Sequence, residues 1–257
     1  KSLIQNMDTL LTKYLDNLEN REDENINFEF EVKFGTSNYY KHKITRIQYE
    51  NVIKKLKSSG YLLDPNTEYL LRIINMSDKD IRTEISGLNN IKTYCKDNKI
   101  DTIGKTEINC KFQEIVKDFK DNVNFPDFNF RGSFKKEIDI NKDDERINSL
   151  LATWEKNKKT FRYLTRNTFT HKDNLALPFK IDLSIVKSSE KKTDYSSSRK
   201  VDFQPHYLFL ESNIMNEPES YEIEIEILND KVGKNTNYSN STQIYKDLKQ
   251  EIKLILS

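Results

Sequence analysis

The chain has 257 residues, with 42 Lys and Arg against 41 Asp and Glu for a net charge of +1, and it carries 14 Phe and 13 Tyr. Its length and aromatic content supply a sizeable core, and with only 6 Gly and 5 Pro it is neither low-complexity nor disordered. A near-neutral balance excludes a global field for polyanions, no apolar run reaches the length of a membrane span, and Cys95 and Cys110 cannot form a ligand set alone.

Ile4, Met7, Leu11, Tyr14, Leu15 and Leu18 recur at three- and four-residue spacing and predict an amphipathic helix over residues 2–19. An acidic stretch over 19–24 leads into residues 28–34, where Phe28, Phe30, Val32 and Phe34 alternate with Glu29, Glu31 and Lys33; a strand puts these two rows on opposite faces. A tyrosine-rich loop follows Gly35, and Ile47, Val52, Ile53 and Leu56 predict a second helix over 46–59 that stops at Gly60. Residues 69–74 and 81–86 read as a hairpin turning over 77–80, with Arg72 in its first arm and Arg82 and Glu84 sharing a face of its second. Phe112, Ile115, Val116 and Phe119 predict a helical turn or two. Alternation returns over 128–140, with Arg131, Ser133, Lys135 and Glu137 in phase, and Leu150 and Trp154 precede a further strand.

Residues 161–170 place Arg162 and Arg166 in one phase with Leu164 between them, and 179–186 set Lys180, Asp182 and Ser184 opposite Ile181, Leu183 and Ile185. The polar segment 188–200 reads as an exposed loop and 203–211 as strand-like. Over 221–227 the glutamates Glu222, Glu224 and Glu226 occupy every second position, and Tyr245, Leu248 and Ile252 predict a closing helix.

Many alternating strands with few crossover helices make an antiparallel sheet, and no Pro/Gly linker divides the chain, so 1–257 reads as one domain. The faces opposite the apolar rows carry Glu together with Lys or Arg. Closing that sheet gives a mostly β fold: a barrel with a polar lumen, its apolar exterior covered by the terminal helices and the 46–59 helix. An ordinary solvated strand face mixes Ser, Thr, Lys and Glu; three glutamates in a row repel one another unless a cation stands among them. Carboxylate oxygens suit Mg²⁺ or Mn²⁺, and with His42, His171 and His206 far apart a zinc site is disfavoured. Lys33, Arg72, Arg82, Arg131, Lys135, Arg162, Arg166 and Lys180 each read alone as a salt-bridge partner of a glutamate. Jointly they fit a polyphosphate clamped beside a metal, with a lumen carboxylate orienting or deprotonating water for hydrolysis of a γ-phosphate. The Gly-Lys pairs at Lys105 and Lys234 lack the spacing of a phosphate-binding loop.

Glu29-Phe-Glu31-Val-Lys33, paired with Tyr221-Glu-Ile-Glu-Ile-Glu226, resembles the triphosphate tunnel metalloenzymes, in the branch of metal-dependent RNA 5′-triphosphatases of fungal, protozoal and large-DNA-virus mRNA capping. The resemblance runs over about residues 26–228 and implies a closed, eight-stranded antiparallel tunnel with helices outside it. It implies Glu29, Glu31 and Glu226 as ligands of Mg²⁺ or Mn²⁺, with Glu222 and Glu224 organising water, metal and basic side chains. Arg82, Arg131, Lys135, Arg162 and Arg166 resemble phosphate-binding residues, and Asp182 a residue that orients a basic neighbour. Lys33, Arg72 and Lys180 are further substrate contacts. Leu164 stands where the family's Arg-x-Lys-x-Arg strand has its lysine, and Lys159 or Lys180 is expected to compensate.

The implied reaction removes the γ-phosphate of 5′-triphosphate RNA to leave a diphosphate end; the alternatives are a tunnel hydrolase of tripolyphosphate, nucleoside triphosphate or thiamine triphosphate, and a non-catalytic barrel that binds RNA or a protein. A start at Lys1 and an Asn/Lys-rich composition are expected of one module of a viral capping enzyme with guanylyltransferase and methyltransferase modules, working in the virion or host cytoplasm without a membrane.

Overall fold

The computed structural model describes residues 3–35, 43–100, 110–174, 176–194 and 200–257; the tyrosine-rich loop after Gly35 and Lys105 fall outside them. Helix α1 (Leu3–Glu19) leads into β1 (Ile26–Phe34), followed by α2 (Arg46–Ser58), β2 (Tyr61–Leu63), β3 (Glu68–Asn75) and β4 (Asp78–Ser86). Next come α3 (Leu88–Asp97), β5 (Cys110–Ile115), β6 (Asp121–Phe125), β7 (Phe130–Ile140), α4 (Glu145–Ala152), β8 (Lys159–His171) and β9 (Phe179–Ser188). The chain ends with β10 (Lys191–Asp194), β11 (Lys200–Phe203), β12 (Ser220–Ile227) and α5 (Ser241–Leu256).

Eight antiparallel strands close on themselves in the order β1-β12-β9-β8-β3-β4-β5-β7, with β7 returning to β1. One edge of β7 pairs with β1 from Phe130 to Ile138; the other pairs with β6 and then β5, so these two short strands are one line interrupted over 116–120. The interruption is a 3-10 turn, Lys117–Phe119, that sends Phe119 outward against Phe134, ring centroids 5.3 Å apart.

The barrel wears its apolar side outside. Phe28, Phe30, Val32 and Phe34 of β1 and Ile223, Ile225 and Ile227 of β12 are buried beneath Met7, Leu11 and Tyr14 of α1, Leu56 of α2 and Ile244 and Leu248 of α5, in one continuous cluster. A second cluster covers β3, β4 and β5 with Ile91 and Tyr94 of α3, Ile147 and Leu150 of α4, and Trp154. Gly132 faces α1, and a Cβ there would stand 2.8 Å from the Met7 Cε, so the missing side chain lets the helix lie close on β7. Helix α2 begins at a capping box in which Thr45 and Gln48 satisfy each other's backbone N–H.

Several expectations need correction. Phe112 lies in β5, so the apparent helical spacing of Phe112 to Phe119 arises from a strand followed by a 3-10 turn. Leu150 belongs to helix α4, capped by Asp144, and β8 starts later, at Lys159. Within 188–200 the described residues form a β-hairpin, β10 with β11, while 203–211 is not a strand: pairing ends at Phe203, His206 makes one bridge to Lys159, and Leu210–Ser212 is a 3-10 turn. The β3–β4 turn is tighter than expected, since Asn75 pairs directly with Asp78. Helix α3, whose pattern is masked by Asn89, Asn90 and Lys92, is an addition.

One buried acid lies in the helical coat. Tyr61 Oη donates to the Glu251 carboxyl on α5, and burial raises the Glu251 pKa. A raised carboxyl favours the fold while protonated and loses that contribution as pH climbs through and above its ordinary value. Glu251→Gln keeps an acceptor for Tyr61, so its melting temperature should exceed wild type by a few degrees at pH 8, with the gap closing at pH 4 in a thermal scan.

Candidate active site

The lumen faces are set by strand phase. Glu29, Glu31 and Lys33 from β1, Glu222, Glu224 and Glu226 from β12, Lys180 from β9 and Arg162 and Arg166 from β8 line one cavity of about 830 Å³, together with Arg72, Arg82, Arg131 and Lys135 from β3, β4 and β7. Asp182 stands behind this lining, 1% exposed. Register brings Glu31 opposite Glu226 and Lys33 opposite Glu224 across β1–β12, and Lys33 opposite Arg131 across β1–β7.

Acid and base alternate around this wall. Lys33 Nζ lies 2.7 Å from Glu224 and 3.1 Å from Glu222, and Arg162 donates to the other Glu222 oxygen. Arg166 sits 3.7 Å from Asp182 and 3.9 Å from Glu224; Lys180 reaches Glu226 at 3.0 Å and Asp182 at 3.2 Å. On the far wall Arg72 bonds Glu84 at 2.7 Å and Arg82 bonds Glu137 at 2.8 Å, while Lys135 contacts Glu31 and, at 3.8 Å, Glu29.

These pairings leave unequal carboxyls. Burial, then the neighbouring Glu224 and Glu29 charges, outweighs Lys135 and pushes Glu31 up to about 7. Burial also works against Glu224, but Lys33, Arg166 and Lys135 overcome it and hold that carboxyl at about 2. Glu226 is raised by burial despite Lys180. Negative charge is therefore in excess around Glu31 and Glu226, where two strands oppose carboxylates directly.

Unfilled donors line the same cavity. Arg82, Arg131 and Arg162 each keep a buried Nε with no hydrogen-bond partner among the described residues. Lys120, at the break between β5 and β6, lines the same cavity, and burial together with Arg131, Lys135 and Lys33 pushes its ammonium pKa down. Cations gathered around Lys120 beside unfilled guanidinium donors make a setting whose chemistry suits an anion. Lys120 was not among the residues expected from sequence, because it belongs to no alternating run; Lys111 and Gln113 of β5 are further lumen residues, and Glu84 and Glu137 line the lumen in the phase of Arg82 and Lys135.

Lys159 is the misplaced expectation. It shares its phase with Phe161, so its side chain leaves the lumen, donates to the Trp154 and Asn157 carbonyls at 2.7 Å each and lies over the Trp154 ring. Leu164 does share the phase of Arg162 and Arg166, so the missing lysine is not a slip of register. It is fully buried in an apolar row with Leu70 and Val186, its direct neighbours on β3 and β9.

The donor set around Glu31 suits a hard divalent cation: carboxylate oxygens that repel one another, Glu31 buried and Glu29 and Glu226 partly exposed to the lumen. As the side chains stand, no group of three His, Cys, Asp or Glu converges at metal-binding range among the described residues, because Lys135 and Lys180 engage Glu31 and Glu226. The chemistry fits a metal; the rotamers are those of ammonium-paired carboxylates.

No family model matches the sequence, and no curated protein matches it. Solved structures do. The RNA triphosphatase domain of a trifunctional mimivirus mRNA capping enzyme superposes with a TM-score of 0.59 at 14% identity, over 98% of this chain and 99% of that one. A triclinic structure of the mimivirus capping enzyme triphosphatase gives 0.58 at 14%, over 98% and 97%. The S. pombe RNA triphosphatase Pct1 gives 0.54 at 11% identity, over 100% of this chain and 93% of that one. The described residues therefore have the closed eight-stranded tunnel fold seen in these RNA triphosphatase structures.

Proposed function

We propose that the chain is a metal-dependent polynucleotide 5′-triphosphatase that removes the γ-phosphate of 5′-triphosphate RNA, the first step of mRNA capping. The observation that carries this reading is the lumen itself: excess carboxylates at Glu31 and Glu226, with the unfilled guanidinium donors of Arg131, Arg82 and Arg162 within the same closed wall. Glu29, Glu31 and Glu226 would hold Mg²⁺ or Mn²⁺, which supplies charge withdrawal from the phosphate oxygens when bound.

Arg131, Lys120, Arg82 and Lys135 clamp the anionic oxygens, and Arg72, Arg162, Arg166, Lys33 and Lys180 complete the basic wall. Glu222 and Glu224 hold Lys33, Arg162 and Arg166 in place, and Asp182 fixes Arg166 and Lys180. Water attacks the γ-phosphorus in line, losing its proton to a lumen carboxylate, as the bond to the β–γ bridging oxygen breaks and its electron pair stays on the β-phosphate. The mimivirus match is one domain of a trifunctional capping enzyme, and we propose that this chain too works beside other capping modules, a guanylyltransferase and a methyltransferase, in a virion or a host cytoplasm.

Orthophosphate release from γ-labelled triphosphate RNA, tripolyphosphate and nucleoside triphosphate, measured side by side, tests the substrate. RNA should give the highest kcat/KM and end as a diphosphate; a preference for tripolyphosphate would overturn the RNA assignment and leave a small-polyphosphate hydrolase. Metal binding has its own signature. Glu31 must lose its proton to become a ligand, so the melting-temperature rise on adding Mn²⁺ should be larger at pH 8 than at pH 6, and should vanish in Glu31→Gln.

A further inference from the structure

The two ends of the tunnel differ. Lys33, Arg131 and Arg162 stand at one end with Glu222 and Glu224, whereas the other end is bounded by Asn27 and Gln113, which both donate to Asp139. A second sheet is attached at the basic end. Ser188, the last residue of β9, pairs with Arg162, Ser189 bonds Phe161, and the β10–β11 hairpin begins two residues later.

The hairpin and the segment after it carry two exposed aromatic rings, each backed by a lysine. Lys191 Nζ lies 5.2 Å from the centre of the Phe203 ring, which is 42% exposed, and Lys158 Nζ lies 5.4 Å from that of Tyr207, which is 45% exposed. Lys158 immediately precedes the first residue of β8, and the Lys159–His206 bridge fixes Tyr207 beside it, so both pairs lie past Arg162 along the same direction. Lys191 feels the charges of Arg162, Glu222 and Lys43, which places it at this mouth.

We propose that this end is where a polynucleotide leaves the tunnel, and that Phe203 and Tyr207 stack its first bases while Lys191 and Lys158 meet its backbone phosphates; this rests on the RNA reading of the tunnel. Aromatic faces interleaved with cations bind single strands without regard to sequence. Tripolyphosphate has no base to stack, so the platform separates an RNA end from a small polyphosphate. The negative backbone also favours the basic mouth over the one that carries Asp139.

The test is fluorescence anisotropy of a labelled single-stranded 5′-triphosphate RNA in chelator, where no turnover occurs, with tripolyphosphate hydrolysis in Mn²⁺ as the control. The Phe203→Ala/Tyr207→Ala double variant should bind RNA at least about thirtyfold more weakly, since two base stacks are lost, and should hydrolyse tripolyphosphate within about twofold of wild type. Phe203→Trp in the wild-type background should retain RNA binding. Unchanged RNA affinity in the double variant, or an equal loss of tripolyphosphate turnover, overturns the platform. A wild-type protein that binds RNA through these rings yet releases no phosphate from it keeps the platform and removes the proposed reaction instead.

Discussion

Glu31→Ala should lower phosphate release by at least a hundredfold, the range expected when a single charge-stabilising group is taken from a preorganised site. Glu31 is 4% exposed and faces Glu226 across the β1–β12 ladder, so it lies at the centre of the carboxylate excess. Its removal takes away a ligand and also frees Lys135 to move toward Glu29. The fold should survive: a carboxyl raised to about 7 stabilises the folded chain while protonated and loses that contribution as pH rises through about 4.5 to 7. Glu31→Gln should therefore melt no lower than wild type at pH 8 while remaining inactive. Substantial turnover by either variant would remove Glu31 from the reaction.

Glu224→Ala should do the opposite to stability. Glu224 is the shared partner of Lys33 and Arg166, held at about 2, and both cations are largely buried. Removing it takes the nearest counter-charge from Lys33 and one from Arg166, leaving them to Glu222 and Asp182, which costs about 1.5 to 3 kcal/mol. A depressed carboxyl contributes fully above its ordinary pKa and loses that contribution as pH falls toward about 2, so the wild-type advantage over Glu224→Ala should be largest near neutrality and shrink in acid. Denaturant titrations at pH 7 and pH 3 measure this. Equal stability of the two proteins at pH 7 would mean that Glu222 and Asp182 suffice for Lys33 and Arg166.

The contrast between two glutamates on facing strands explains what was legible in the sequence. Period-two alternation in β1, β7, β8, β9 and β12 assigns each charged residue to the lumen or the exterior, because a strand allows only two directions. Phase also explains the error at Lys159: charge suggested a substitute for the lysine missing at Leu164, but an odd-numbered position on β8 points outward. Lys120 escaped for the converse reason, since residues 116–120 bulge from the β5–β6 line and carry no periodic signal. Strengths of pairing were hidden too. Nothing local in Glu-Ile-Glu separates Glu224 from Glu226; Lys33, three strands' worth of register and the depth of burial do.

The 145–152 helix and the 191–203 hairpin were missed because their sequences are polar and short. Asp144, Glu145 and Arg146 hide the start of α4, whose buried residues are only Ile147 and Leu150. In β10 and β11 the cross-strand partners Lys192 and Asp202, and Asp194 and Lys200, are all charged, so no apolar row marks a strand.

The central claim, a metal and a phosphate chain side by side in this lumen, is tested most directly by a crystal of the protein soaked with Mn²⁺ and a non-hydrolysable triphosphate. Anomalous scattering should place Mn²⁺ on Glu29, Glu31 and Glu226, with phosphate oxygens on Arg131, Arg82 and Lys120 and with Lys135 displaced from Glu31. Manganese bound elsewhere, or a triphosphate lying outside the tunnel, would contradict the account.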